Sequence, residues 1–119
     1  KLLFPVFQKI IKRLWDNGVL ITSGTDLGNP WLSPGVSLYR ELELLVDAGI
    51  PVLEVIKIAT KNGAEALDIS DEAGTVEVGK QADLVILNSN PAEGIKNIRN
   101  LEFVIKKGEI FYPASLLSK

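Results

Sequence analysis

The sequence predicts an α/β protein, and two observations carry that prediction. Apolar residues recur at helical spacing through most of the first 70 positions, broken by one short apolar run at residues 19–22. Beyond about residue 70 the period shortens to that of strands, in short runs separated by Gly, Asn and Pro. The chain therefore divides near residues 70–74 into helices around a single strand and a smaller, mainly β portion.

The first helix is expected over residues 4–16, where Phe4, Phe7, Ile10, Ile11, Leu14 and Trp15 form one buried stripe and Lys9, Lys12 and Arg13 a solvated face. Asn17-Gly18 supplies its stop, and residues 19–22 follow as a strand. A second stripe runs through Leu38, Leu42, Leu45, Val46 and Ile50, with Ser37 as its cap and Arg40 and Glu41 in its first turns. A third helix is expected from Pro51 to about Leu67, burying Val52, Val55, Ile56, Ala59, Ala66 and Leu67. Gly63 inside it costs about 1 kcal/mol against alanine, which close packing on a neighbouring backbone would explain. Strands are expected at residues 75–78, at 83–87 with burial on both faces, and at 103–105 and 109–112, the last two joined tightly through Lys106, Lys107 and Gly108. Asp83 is expected to fix the turn before its strand, and Lys106 and Lys107 to discourage pairing with other molecules.

With 119 residues, of which 46% are hydrophobic, the chain can form a core and is not expected to be disordered. Its 13 basic and 15 acidic residues give a net charge of -2, and no basic cluster suits nucleic acid or an anionic membrane. Cysteine and histidine are absent, which removes a disulfide framework, a thiolate nucleophile, and the commonest near-neutral acid/base and metal ligand. "GTVEVGK" lacks the spaced glycines and following hydroxyl of a phosphate loop. No apolar run is long enough to span a membrane and no signal-peptide layout opens the chain, so a cytoplasmic protein is the expectation. Methionine is missing even at position 1, and the chain starts inside an amphipathic pattern, which suggests a piece of a longer protein. A lone strand among helices points the same way, because both its edges need partners from missing chain or from another molecule, a homo-oligomer included.

Four stretches taken in order carry a resemblance: "TSGTD" at 22–26, "SLYRELELLVDAGIPVLEVIKIATKNGAEAL" at 37–67, "GTVEVGKQADLVILNSNP" at 74–91 and "IRNLEFVIKKGEIF" at 98–111. Together they resemble the C-terminal part of the metal-dependent amidohydrolase superfamily, most closely its imidazolonepropionase-like and prolidase-like branch. The resemblance implies the C-terminal part of a distorted TIM barrel over residues 1–73, with residues 19–23 as the eighth barrel strand. It further implies that residues 74–119 are the C-terminal part of a small composite β-sandwich domain. The implied activity, in the parent protein, is hydrolysis of a C-N bond in a small amide, dipeptide-like or cyclic amide substrate by metal-activated water.

Within that resemblance Asp26 matches the family's aspartate, which approaches the metal, accepts a proton from the attacking water and helps protonate the departing nitrogen. Read alone, Asp26 is an ordinary turn or capping aspartate after a strand. The implied cofactor is one or two divalent ions, with zinc expected, whose other ligands lie on earlier strands. This chain alone is expected neither to hold the metal firmly nor to be active. Trp31, in the loop of residues 27–35, and Tyr39, where close relatives often have histidine, are the candidate substrate contacts, although aromatic residues in loops also serve as anchors. Gly24 and Thr25 are expected to shape the strand end. A noncatalytic structural or assembly module that retains the architecture is the alternative.

Overall fold

A computed structural model describes residues 3–116. Helix α1 covers Leu3–Asp16, and Gly18, at φ 75, ends it where the sequence places the stop. The Val19 amide reaches back to the Leu14 carbonyl at 3.1 Å, closing the last turn. The expected buried stripe is corrected. Only Ile11 and Trp15 pack against the core, while Phe4, Phe7, Ile10 and Leu14 stay exposed. No described element covers that face.

Helix α2 spans Val36–Asp47 and begins from Gly35 at φ 74. Ser37 is not its cap. It lies inside the first turn, where its hydroxyl accepts from the Ser33 amide at 2.9 Å and so braces the preceding loop. The expected third helix is two helices, α3 at Val52–Ala59 and α4 at Lys61–Ala66, with Pro51 just outside α3. The break falls at Thr60, whose φ of -130° leaves the helical region. Its hydroxyl donates to the Ile56 carbonyl at 2.8 Å, the local competition with helix continuation expected of threonine. Leu67, expected in the core, is 72% exposed.

The close backbone approach anticipated at Gly63 occurs elsewhere. A Cβ on Gly63 would meet nothing within 4 Å, whereas one on Gly74 would lie 2.5 Å from the Ala64 Cβ. Gly74 also has φ +93, so it lets the chain leave α4 tightly against the buried Ala64.

Strands β1 (Leu84–Leu87), β2 (Leu101–Lys106) and β3 (Glu109–Phe111) form an antiparallel sheet in sequence order. Leu84 pairs with Ile105 and Ile105 with Ile110, which carries the apolar register across the sheet. The β2–β3 turn has Lys107 at φ 52 and Gly108 at φ 83, the double left-handed geometry that suits a two-residue hairpin. Asp83 fixes this turn as well as its own end of β1. Its carboxylate accepts from the Lys107 amide at 2.7 Å, from Gln81 Nε2 at 2.8 Å and from Lys106 Nζ. Lys106 is therefore paired with Asp83 instead of standing free on an edge. β1 is not buried on both faces, since Val85 is 62% exposed. The expected strand at residues 75–78 has no ladder, and Val76 and Val78 are exposed, because no described strand lies beside them.

Between β1 and β2 the chain makes two 3-10 turns, at Pro91–Glu93 and Ile95–Arg99, that sequence periodicity does not reveal. The second inserts Ile95 into the core of Leu42, Ile50, Val55 and Ile58. It also brings Arg99 to the buried Glu43 of α2, and the hydrogen bond from Arg99 is the main cause holding the Glu43 carboxyl below its usual pKa.

Candidate functional site

Residues 19–26 leave α1 without joining any sheet, which corrects the expected strand at 19–22. The cause is the one anticipated from its unpaired edges: no described segment runs alongside it to share its backbone groups. Strand character survives in another form. From Leu20 to Asp26 exposure alternates residue by residue, with Ile21, Ser23 and Thr25 half-buried.

Two side chains secure the segment. Asn62 Nδ2, from α4, donates to the Ile21 carbonyl at 2.9 Å. The Gly24 amide donates to Glu41 Oε1, from α2, at 2.8 Å. Glu41 Oε2 is sealed from solvent and has no hydrogen-bond partner among the described residues. An unmet buried acceptor costs about 1–3 kcal/mol, more when charged.

Asp26 follows at the exposed end, in the left-handed region at φ 53, which aspartate tolerates better than most side chains. Asn29 folds back over it, with Nδ2 donating to Asp26 Oδ2 at 2.5 Å and to the Asp26 carbonyl at 3.3 Å. Trp31 is fully exposed at φ 80 and borders an open hollow of about 570 Å³, shared with Gly24, Thr25, Val36, Arg40 and Glu41. Tyr39 does not border it. Its ring instead lies under the Arg99 guanidinium, 5.2 Å from centroid to Cζ, beside the Glu43 ion pair. The structure thus brings Trp31 to the end of the Asp26 segment and sets Tyr39 apart from it.

Glu41 and Asn62 were not among the expected site residues. For Glu41 a signal was available, because it occupies a place within the apolar stripe, three residues after Leu38 and four before Leu45. For Asn62 there was none, since its partner lies 41 residues away.

Carboxylate oxygen is a suitable donor for a divalent ion, but a site needs about three protein ligands. Among the described residues no group of three or more His, Cys, Asp or Glu could hold one. The described residues therefore do not by themselves form a metal centre.

The family model of the "Amidohydrolase family" matches residues 6–111, and the chain belongs to that family. It is 38% identical over 103 residues to an imidazolonepropionase of Geobacillus thermodenitrificans, covering 83% of this chain and 24% of that protein. It is 37% identical over 93 residues to a 5-methylthioadenosine/S-adenosylhomocysteine deaminase of Thermoanaerobacter pseudethanolicus, covering 71% of this chain and 20% of the relative. Among solved structures it superposes on a Xaa-Pro dipeptidase with bound methionine in the active site, with TM-score 0.80 and 33% identity, covering 88% of this chain and 25% of that one. Within the family the chain falls in the imidazolonepropionase- and prolidase-like branch. It spans about a quarter of the length of the imidazolonepropionase and dipeptidase chains it matches.

Proposed function

We propose that this chain is the C-terminal segment of a hydrolase that cleaves a C-N bond in a small amide, dipeptide-like or cyclic amide substrate, with Asp26 as its proton-transfer residue. The observation that carries the reading is the exposed carboxylate of Asp26 at the end of a segment with strand periodicity, inside the stretch matched by the family model. In this reading residues 1–73 belong to the barrel, and residues 19–23 supply its last strand once the preceding strands lie beside them. Residues 74–119 belong to the composite β domain. Barrel enzymes build their sites at the C-terminal ends of strands, which is where Asp26 would then stand.

Asp26 takes a proton from the attacking water and returns it to the departing nitrogen, which requires a carboxylate within hydrogen-bond reach of both. A divalent metal, zinc being the expected ion, would when bound polarise the carbonyl and favour the ionised carboxylate of Asp26; its other ligands would lie outside this chain. Trp31 covers an apolar part of the substrate from the rim of the hollow. Tyr39, held under Arg99, would reach substrate only by leaving that stack.

The test uses the longer protein. Asp26→Asn is expected to lose at least about 100-fold in kcat while its melting temperature and bound metal, measured by elemental analysis, stay near wild type. Undiminished turnover removes the proton-transfer role. The second reading, a noncatalytic module, draws support from the Asn29 hydrogen bond to Asp26 Oδ2, which is what a turn aspartate would make. It gains if the longer protein binds no divalent metal and hydrolyses no amide.

A further inference from the structure

We infer that Glu41 is the positioning residue of the Asp26 segment, fixing Gly24 so that the Asp26 carboxylate two residues on is set in one place. The inference rests on the proton-transfer reading of Asp26. Asp26 lies between two glycines, Gly24 and Gly28, the second at φ +124, and glycine is the residue with the widest choice of backbone conformations. A reacting group placed between two such joints needs a tether.

A ladder along residues 19–23 would stop short of Gly24, and Glu41 supplies the tether at the joint itself, through the 2.8 Å bond from the Gly24 amide. Its base is rigid: Glu41 stands on the 12-residue α2, next to the buried Leu42 and Glu43. Asn62 holds the segment three residues earlier, at Ile21, and so defines its path without reaching the joint.

The experiment follows hydrogen exchange at the Gly24 amide in the longer protein, together with cleavage of a methionyl-proline dipeptide. Glu41→Gln keeps an acceptor oxygen, whereas Glu41→Leu fills similar space without one and avoids leaving a buried polar atom. Exchange at Gly24 should accelerate about tenfold or more in Glu41→Leu and stay near wild type in Glu41→Gln. In Glu41→Leu kcat should fall about 10–100-fold with little change in KM, be largely retained in Glu41→Gln, and in the Glu41→Leu, Asp26→Asn double variant be no lower than in Asp26→Asn alone. Unchanged exchange in Glu41→Leu, equal losses in the two Glu41 variants, or additive losses in the double variant overturns the inference. Normal turnover in Asp26→Asn strikes instead at the proton-transfer reading. If the dipeptide is not cleaved, the exchange comparison alone decides.

Discussion

Glu43 and Arg99, 56 residues apart in the chain, meet through a 2.8 Å hydrogen bond between Oε1 and Nε. Arg40, on the same helix as Glu43, approaches the other oxygen at 3.4 Å. A carboxylate that is 7% exposed is thereby matched by two guanidinium groups that remain in contact with water.

Removing that charge should make the stability of the folded protein less sensitive to acid. Glu43 has a folded pKa below its ordinary value, mainly through the Arg99 hydrogen bond, so its contribution is fully present above the unfolded pKa. It is lost as the pH falls through the lower, folded pKa. Glu43→Gln should lower the melting temperature by a few degrees near neutral pH, and the gap should close as the pH drops below about 4. Melting curves across that range check it, and a gap independent of pH would refute the charge as its source.

Asp83 makes a similar prediction for the hairpin. The Lys106 hydrogen bond, followed by the Lys107 amide, lowers its pKa from 3.8 to about 2. Its contribution is therefore present above the unfolded value and disappears as the pH falls through about 2. Asp83→Asn should loosen the Lys107-Gly108 turn at neutral pH, seen as faster amide exchange at Lys107, and should differ little from wild type in strong acid. Equal exchange at neutral pH would show that the turn holds without the carboxylate.

Gly63 and Gly74 should respond to alanine with opposite signs. At Gly63 the new methyl meets nothing within 4 Å inside α4, so Gly63→Ala should stabilise by about 0.4–1 kcal/mol. At Gly74 it meets the Ala64 Cβ at 2.5 Å and a left-handed backbone as well, so Gly74→Ala should destabilise by about 2–4 kcal/mol. Urea unfolding of both variants would show it, and matching effects would contradict the packing described.

The isolated 119-residue chain should self-associate. Phe4, Phe7, Ile10 and Leu14 present 40–59% of their surface along one helix, a contiguous apolar strip of the kind that marks a missing partner. Size-exclusion chromatography with light scattering should report a species larger than 13.0 kDa, and Phe7→Glu should shift it toward the monomer. A compact wild-type monomer would show that the strip needs no cover.

Legibility in the sequence followed the range of the forces involved. α1, α2 and the β2–β3 hairpin were readable because local period and local turn residues specify them, with Asn17-Gly18 and Lys107-Gly108 falling where the chain turns. The segments at 19–22 and 75–78 carry a strand-like local pattern but form no strand, because a strand is completed by neighbours and none is described beside them. The break at Thr60 and the 3-10 turns depend on one hydroxyl and on a buried Ile95, contacts that periodicity does not encode. Of the candidate site, Asp26 was singled out through the family resemblance and Trp31 through residue type and its place in the loop. Glu41 was placed on its helix without a role, because its partner, the Gly24 amide, is a backbone group that no sequence pattern marks.

The full exposure of Trp31 gives the chain an optical probe. The only other tryptophan, Trp15, is packed against the core with Lys12 Nζ 5.0 Å from its ring, so the two indoles emit from different surroundings. Acrylamide should reach Trp31 first, and the long-wavelength edge of the fluorescence spectrum should belong to it. Anything that settles into the adjoining hollow would move that edge toward the blue, a signal that can be read without a chromogenic substrate or an attached dye.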